Sequence, residues 1–186
     1  MADIVPFIEM IIERCDVRNV GVTLQPTDEV MCDGEGVCGY FDDMSGNIVV
    51  AGNSQDWWMT LAHEFGHMTR KGDPSKGARE LFDGWLRGER RTSDRVLRAT
   101  RAIQEDEMHA ERFAVSLARK FRVLPPGYVQ RANAYILSFE VARRWRKDLR
   151  TRPGDALCAS MPKRLISDFG TLSEEIETMY IEDCYG

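Results

Sequence analysis

The sequence predicts an α+β fold with an N-terminal helix, a small three-stranded sheet and a largely helical C-terminal half. Apolar residues recur at helical spacing in the first segment, and stretches typical of strands follow between residues 19 and 51. Most of the chain beyond residue 54 has helical periodicity. A chain of 186 residues can bury a core of its own, so we expect a single domain over 1–186. Within it, 1–72 should form the first helix, the sheet and a central helix, and 73–186 a connection and the helical half.

Composition and charge narrow the class of protein. The formal net charge of -5 gives no whole-surface attraction to nucleic acid, so we expect no direct nucleic-acid binding. No apolar run approaches the roughly 20 residues that span a bilayer, and the N-terminus has no signal-peptide pattern. The five cysteines are odd in number and lack a C-x-x-C pair, which predicts free thiols. These features favour a cytoplasmic protein that does not bind membranes.

The N-terminal third contains the first helix and the sheet. The helix is predicted from apolar residues at three- and four-residue steps, namely Ile4, Ile8, Ile11, Ile12 and Cys15. Strands are predicted over 19–24, 37–41 and 47–51. The last two should form a hairpin around the turn-rich residues 42–46, and the acidic stretch 28–35 should be a loop.

The rest of the chain is predicted to be helical. Ser54 is the expected N-cap of a central helix that continues to Lys71 and ends at Gly72 and Pro74. A short helix is predicted at 81–86 inside a long connection. Further helices are predicted from about 92 to 121, from 128 to 148 after two prolines, and from 172 to 180.

The central helix contains the motif His63-Glu64-Phe65-Gly66-His67. Two histidines four residues apart lie on one face of a helix, so both can bind one ion at about 2.0–2.1 Å. Glu64 follows the first histidine, where its carboxylate can act as general base on a water beside the metal. Gly66 weakens the helix by about 1 kcal/mol relative to alanine, a cost that suggests close packing of another element. The motif predicts a catalytic site with one Zn²⁺ ion and Glu64 as the base.

Two other interpretations of the motif are weaker. The motif could be fortuitous on a surface helix, but the chain has only three histidines and two of them are here. It could hold a structural zinc, but such sites have four protein ligands and no use for Glu64. A catalytic zinc needs one further protein ligand and an open position.

Three residues are candidates for the third ligand. Asp73 stands where metzincins place their last ligand, but Arg70 occupies the glycine position that this pattern requires. Glu107 lies at offsets of 3, 7, 10 and 14 from an apolar stripe, so we expect it to be buried and to bind the metal. The stripe comprises Ala110, Ala114, Leu117 and Phe121. His109 is about 200° further round the helix and should face solvent. Glu111 could support a ligand histidine through a hydrogen bond.

The motifs together resemble a known family. His63-Glu64-Phe65-Gly66-His67, then Glu107-Met108-His109-Ala110-Glu111-Arg112-Phe113-Ala114 and finally Leu124-Pro125 resemble the ImmA/IrrE metallopeptidases over about residues 55–125. The resemblance implies a zincin-like fold and a gluzincin-like site, with His63, His67 and Glu107 on zinc and Glu64 as base. It also implies that the substrate is an intracellular protein, a DNA-binding transcriptional repressor.

Other sequence features have alternative interpretations. Strand 47–51 precedes the motif helix and could pair with an extended peptide substrate, unless it is internal to the sheet. Tyr128 or Tyr135 could donate to an oxyanion, although packing roles are commoner. The basic run Arg143–Lys147, with Arg150 and Arg152, could contact nucleic acid but is better explained as a helix C-terminus.

Three functions compete at this point. The first is a zinc-dependent endopeptidase acting on an intracellular protein. The second is a non-catalytic zincin-like binding module that sequesters a protein partner, and the intact Glu64 speaks against it. A hydrolase of a non-peptide amide is the third.

Overall fold

The fold is known from a computed structural model, which describes residues 3–32, 34–70, 75–147, 154–167, 169 and 173–185. For Lys76 and residues 183–185 it describes the backbone alone. Over this range the chain forms helices and short strands, in the order α1 (Val5–Asp16), β1 (Gly21–Gln25), β2 (Val30–Cys32), β3 (Glu35–Val37), β4 (Gly39–Asp42), β5 (Asn47–Ala51), α2 (Trp57–Thr69), α3 (Lys76–Leu86), α4 (Ser93–Phe121), α5 (Tyr128–Trp145), α6 (Asp155–Ser160) and α7 (Glu174–Tyr185). The predicted α+β class is confirmed.

The chain divides into two compact units. The first unit comprises Met1–Lys71 and His109–Pro125, and the second comprises Gly72–Met108 and Pro126–Gly186. Helix α4 is continuous through Met108 and His109, so one helix contributes residues to both units.

The three-stranded sheet of the first unit has the order β1-β5-β4. Strand β5 pairs in parallel with β1 and antiparallel with β4, which confirms the predicted hairpin. Because β5 has a partner on each side, the prediction that strand 47–51 pairs with a substrate is wrong. Strand order is set by tertiary packing, and the alternation of side chains along one strand does not reveal it.

Residues 28–35 were expected to form a loop, but they contribute to a second, two-stranded sheet. Strands β2 and β3 pair antiparallel, with Val30 opposite Val37 and Cys32 opposite Glu35. Asp33-Gly34 is a common hairpin dipeptide, and Gly34 has the positive φ, 87°, that such turns use. Strands of only three residues show too little alternation for the pattern to be recognised among acidic residues.

Two helices pack beside the sheet in the first unit. Helix α1 buries Phe7, Ile11 and Cys15, a face shifted from the predicted isoleucine stripe, and Ile12 is exposed. Burial raises the pKa of the Cys15 thiol to about 11, with a smaller contribution from the Asp16 carboxylate. Helix α2 begins at Trp57, after Asp56 in the left-handed conformation, so the predicted N-cap at Ser54 is two residues too early. It ends at Thr69, while the predicted stop residues Gly72 and Pro74 lie outside the described residues.

Among its described residues the second unit contains helices and connecting segments but no strand. Helix α3 is longer than the predicted island 81–86, and α6 was not predicted because a six-residue helix has too few turns to show periodicity. Helix α5 is buried on most of its surface. Its core partners are Phe82, Ile103, Leu157, Met161 and Tyr180. None of the described helices combines the length and the apolar character needed to cross a membrane.

Candidate metal centre

Helix α2 presents both motif histidines on one face. The Nε2 atoms of His63 and His67 are 3.0 Å apart, and their ring centroids are separated by 4.8 Å. The opposite face anchors the helix, since Leu61, Ala62 and Phe65 are buried. Phe65 packs between the ring of Phe113 and the guanidinium of Arg18. The apolar periodicity of the helix therefore directs the two imidazoles away from the core.

Gly66 allows α4 to pack directly on α2. A Cβ atom at Gly66 would lie 2.8 Å from Cα of Ala110 and 2.9 Å from its carbonyl oxygen. Both are backbone atoms, so no side-chain rotation would relieve the overlap. The expectation that another element packs closely against Gly66 is confirmed, and the contact sets how α2 and the C-terminal part of α4 meet.

Glu111 reaches back from α4 to the first histidine. Its Oε1 lies 3.0 Å from Nδ1 of His63, and the carboxylate is almost fully buried. A hydrogen bond at Nδ1 fixes the ring and places the proton there, so that Nε2 keeps its lone pair. The predicted supporting contact from Glu111 is confirmed.

Glu107 lies one helical turn before Glu111 on α4 and is only 3% exposed. The predicted burial is confirmed, as is that of Ala110, Ala114 and Leu117 on its stripe. His63, His67 and Glu107 each offer one ligand atom, and these atoms all lie within 4.8 Å of one another. The structure thus brings together the two histidines and the carboxylate that the sequence selected.

The donor set fits a metal ion. Two ligands bound at about 2.0–2.1 Å in tetrahedral geometry would be about 3.3 Å apart, close to the observed separation of the two Nε2 atoms. Two imidazoles and a carboxylate are ligands that divalent transition metals accept. This His-His-Glu group could therefore hold a metal ion.

Of the other two candidates for the third ligand, the structure describes His109 but not Asp73. His109 is partly buried rather than solvent-facing, because its Nε2 lies 3.0 Å from the hydroxyl of Thr69. That hydroxyl donates to the carbonyl of Gly66, so it is best placed to accept from His109. Asp73 lies outside the described residues.

Glu64 is the predicted catalytic residue. It follows His63 on α2 and is partly buried. No hydrogen bond or ion pair joins its carboxylate to another described residue. Both carboxylate oxygens are thus available to a water or a substrate, as a general base requires.

Arg79 is a residue of this region that the sequence did not single out. Its Nη2 donates to Oε1 of Glu107, in an ion pair within the second unit. Burial by itself lowers the pKa of the Arg79 guanidinium, but the Glu107 carboxylate outweighs it and the net shift of the pKa is upward. The expected burial of Glu107 was the sequence feature that indicated a nearby cation, because a buried carboxylate needs one. That feature did not identify which of the many arginines would supply the charge.

The two candidate tyrosines have packing contacts. Tyr128 lies beneath the guanidinium of Arg131, and Tyr135 meets Phe139 edge to face with ring centroids 5.4 Å apart. Tyr135 is also an electrostatic neighbour of Arg79. An oxyanion-stabilising role for either tyrosine stays a prediction.

The arginines at the end of α5 make contacts within the second unit. Arg143 and Arg144 both donate to Glu140, and Arg144 also binds Glu177. Arg146 lies 4.3 Å from the ring centroid of Trp85 and donates to the backbone oxygen of that residue. These three guanidinium groups therefore stabilise the fold, while Arg150 and Arg152 lie outside the described residues.

Comparisons with protein-family models, with curated proteins and with solved structures give no match to this chain. The motif and the geometry of the His-His-Glu group are therefore the features that indicate a function.

Proposed function

We propose that this protein is a zinc metallopeptidase with a zincin-like arrangement, in which His63, His67 and Glu107 bind one Zn²⁺ ion. The convergence of these three side chains within 4.8 Å is the observation that carries the proposal. Three protein ligands leave a fourth position open, which is typical of catalytic rather than structural zinc. Two histidines and a carboxylate also occur at non-haem iron sites. The general base beside His63 favours zinc and hydrolysis, because an oxygenase has no use for it.

When bound, zinc would supply Lewis-acid chemistry, acidifying a water and polarising a carbonyl. Glu64 would take the proton of the attacking water on a carboxylate oxygen and deliver it to the leaving amine. Its available carboxylate and its place next to His63 support this role. Glu111 would hold His63 through Nδ1, so the imidazole keeps one orientation during the reaction.

Strands β1 and β4 are the two edges of the three-stranded sheet, and β4 is the better candidate for binding an extended peptide because it lies against α2. A Cβ atom at Gly39 of β4 would lie 2.7 Å from Cγ2 of Thr60 on α2. Thr60 is four residues before Glu64 and shares its helix face. A peptide paired with β4 would therefore run beside the proposed base. The resemblance to ImmA/IrrE proteins supports a transcriptional repressor as the substrate in a cell.

The function is tested with zinc-loaded wild type and Glu64→Gln on a library of peptides prepared from a bacterial lysate, with mass spectrometry of new N-termini. We expect cleavage by wild type, none by Glu64→Gln at equal zinc content, and loss of cleavage on chelation that added zinc restores. Glu80→Gln, an exposed glutamate on α3, serves as the matched control and should cleave normally. Equal cleavage by Glu64→Gln would contradict the mechanism. Full zinc loading without cleavage of any peptide would favour the binding module that sequesters a protein partner.

A further inference from the structure

We propose that Arg79 is a positioning residue that holds one oxygen of Glu107, so that this carboxylate binds the metal through its other oxygen alone. The inference rests on the proposed metal site and concerns how many donor atoms Glu107 gives to the metal. Arg79 and Glu107 are both residues of the second unit, and their ion pair is formed within it.

The guanidinium of Arg79 is held at two points. Nη2 donates to Oε1 of Glu107, and Nε donates to the hydroxyl of Ser75 at 3.3 Å. Ser75 in turn donates to Oδ2 of Asp106 at 3.1 Å, and both residues are buried. Asp106 precedes Glu107 on α4, so the network closes on the same helical turn. The side chain of Arg79 is 41% exposed, but its guanidinium is bonded at two points to buried residues.

The positive charge of Arg79 compensates the buried carboxylate of Glu107. Glu107 is 3% exposed, and a buried carboxylate is costly to keep ionised unless a cation accompanies it. Arginine remains charged when partly buried, and its planar fork donates in fixed directions. Arg79 thus supplies the positive charge that the buried carboxylate needs, and it also sets the orientation of that carboxylate.

The orientation has a consequence for coordination. A carboxylate can bind a metal through one oxygen or through both. With Oε1 engaged by Arg79, Glu107 would bind the metal through Oε2, and the metal would receive three protein donor atoms rather than four. A water would then complete a four-coordinate site, whereas binding through both oxygens would add a fifth donor atom. Loss of Arg79 should both weaken metal binding and raise the coordination number.

The experiment compares wild type, Arg79→Met and Arg79→Lys, with Arg98→Met as control because Arg98 is exposed on α4. Zinc affinity is measured by competition with a chromophoric chelator. The metal geometry is measured from the visible absorption of the Co²⁺-substituted protein, which is more intense at four-coordinate than at five- or six-coordinate cobalt. We expect zinc binding about 10–100-fold weaker in Arg79→Met, together with a weaker cobalt band.

Arg79→Lys should give an intermediate affinity and a cobalt band closer to that of wild type, since lysine restores the charge but not the fork. It also keeps the test decisive if Arg79→Met does not fold. Wild-type affinity and an unchanged cobalt spectrum in the folded Arg79 variants would overturn this inference alone. Failure of wild type to take up either metal would overturn the metal site and this inference with it.

Discussion

Gly66 and Ala110 are in direct backbone contact, since a Cβ atom on Gly66 would lie 2.8 Å from Cα of Ala110. Gly66 lies between His63 and His67 on α2, and Ala110 lies one turn after Glu107 on α4. The glycine is therefore a structural requirement of the packing of α2 on α4 at the candidate metal centre.

Gly66→Ala should destabilise the protein. The added methyl group must displace helix backbone, and overpacking of this kind costs about 1–3 kcal/mol. That cost outweighs the gain of up to about 1 kcal/mol from the better helix propensity of alanine. The free energy of unfolding is measured by urea denaturation. Gly77→Ala on α3 is the control, because nothing lies within 4 Å of its added Cβ, and it should not destabilise. A Gly66→Ala variant more stable than wild type would contradict the close packing.

Replacement of Glu111 should weaken metal binding without abolishing it. Glu111→Ala removes the acceptor at Nδ1 of His63, and loss of such a supporting partner typically lowers metal affinity about 10–100-fold. Glu111→Gln keeps an acceptor oxygen and should lose less. Zinc affinity is measured by chelator competition, with Glu105→Gln as control because Glu105 is exposed on the same helix. Equal affinities for Glu111→Ala and Glu105→Gln would show that Glu111 does not support the site.

Glu140 should make stability depend on pH in the acid range. Its side chain is 2% exposed; burial alone would raise its pKa, but hydrogen bonds from Arg143 and Arg144 hold the pKa below its ordinary value. A carboxyl with a lowered folded-state pKa stabilises the fold above its unfolded pKa, about 4.3 for glutamate. That stabilisation is lost as the pH falls through the folded-state pKa.

The measurement is the free energy of unfolding of wild type and Glu140→Gln between pH 7 and pH 3. At pH 7 the variant should be about 2 kcal/mol less stable, since it loses charge-assisted hydrogen bonds. The difference should shrink as the pH falls. Glu175→Gln, at an exposed glutamate of α7, should follow the wild-type curve. A difference between Glu140→Gln and wild type that stays constant with pH would refute the assignment.

Periodicity predicted the long elements well. Helix α4 was expected at about 92–121 and observed at Ser93–Phe121, because its apolar stripe persists over many turns. The same stripe placed Glu107 inside and Glu111 near His63. Local spacing is sufficient for such inferences, since residues three and four apart on a helix always share a face.

Features that depend on tertiary pairing were missed. The central position of β5, the hydrogen bond between Thr69 and His109 and the ion pair between Arg79 and Glu107 all join segments distant in sequence. In each case the local pattern gave the type of residue but not its partner. The sequence therefore predicted the candidate ligands and the contact from Glu111, but not the contacts that Arg79 and Thr69 make.

The most direct test of the proposed metal centre is the zinc content and zinc affinity of wild type and of His63→Ala, His67→Ala, Glu107→Ala and His109→Ala. We predict one zinc per wild-type chain, severe loss in the first three variants, and near-normal binding in His109→Ala, whose imidazole is bonded to Thr69. Circular dichroism of the metal-free proteins verifies that each variant is folded. Full zinc retention by Glu107→Ala, together with zinc loss in His109→Ala, would contradict the His63, His67 and Glu107 ligand set.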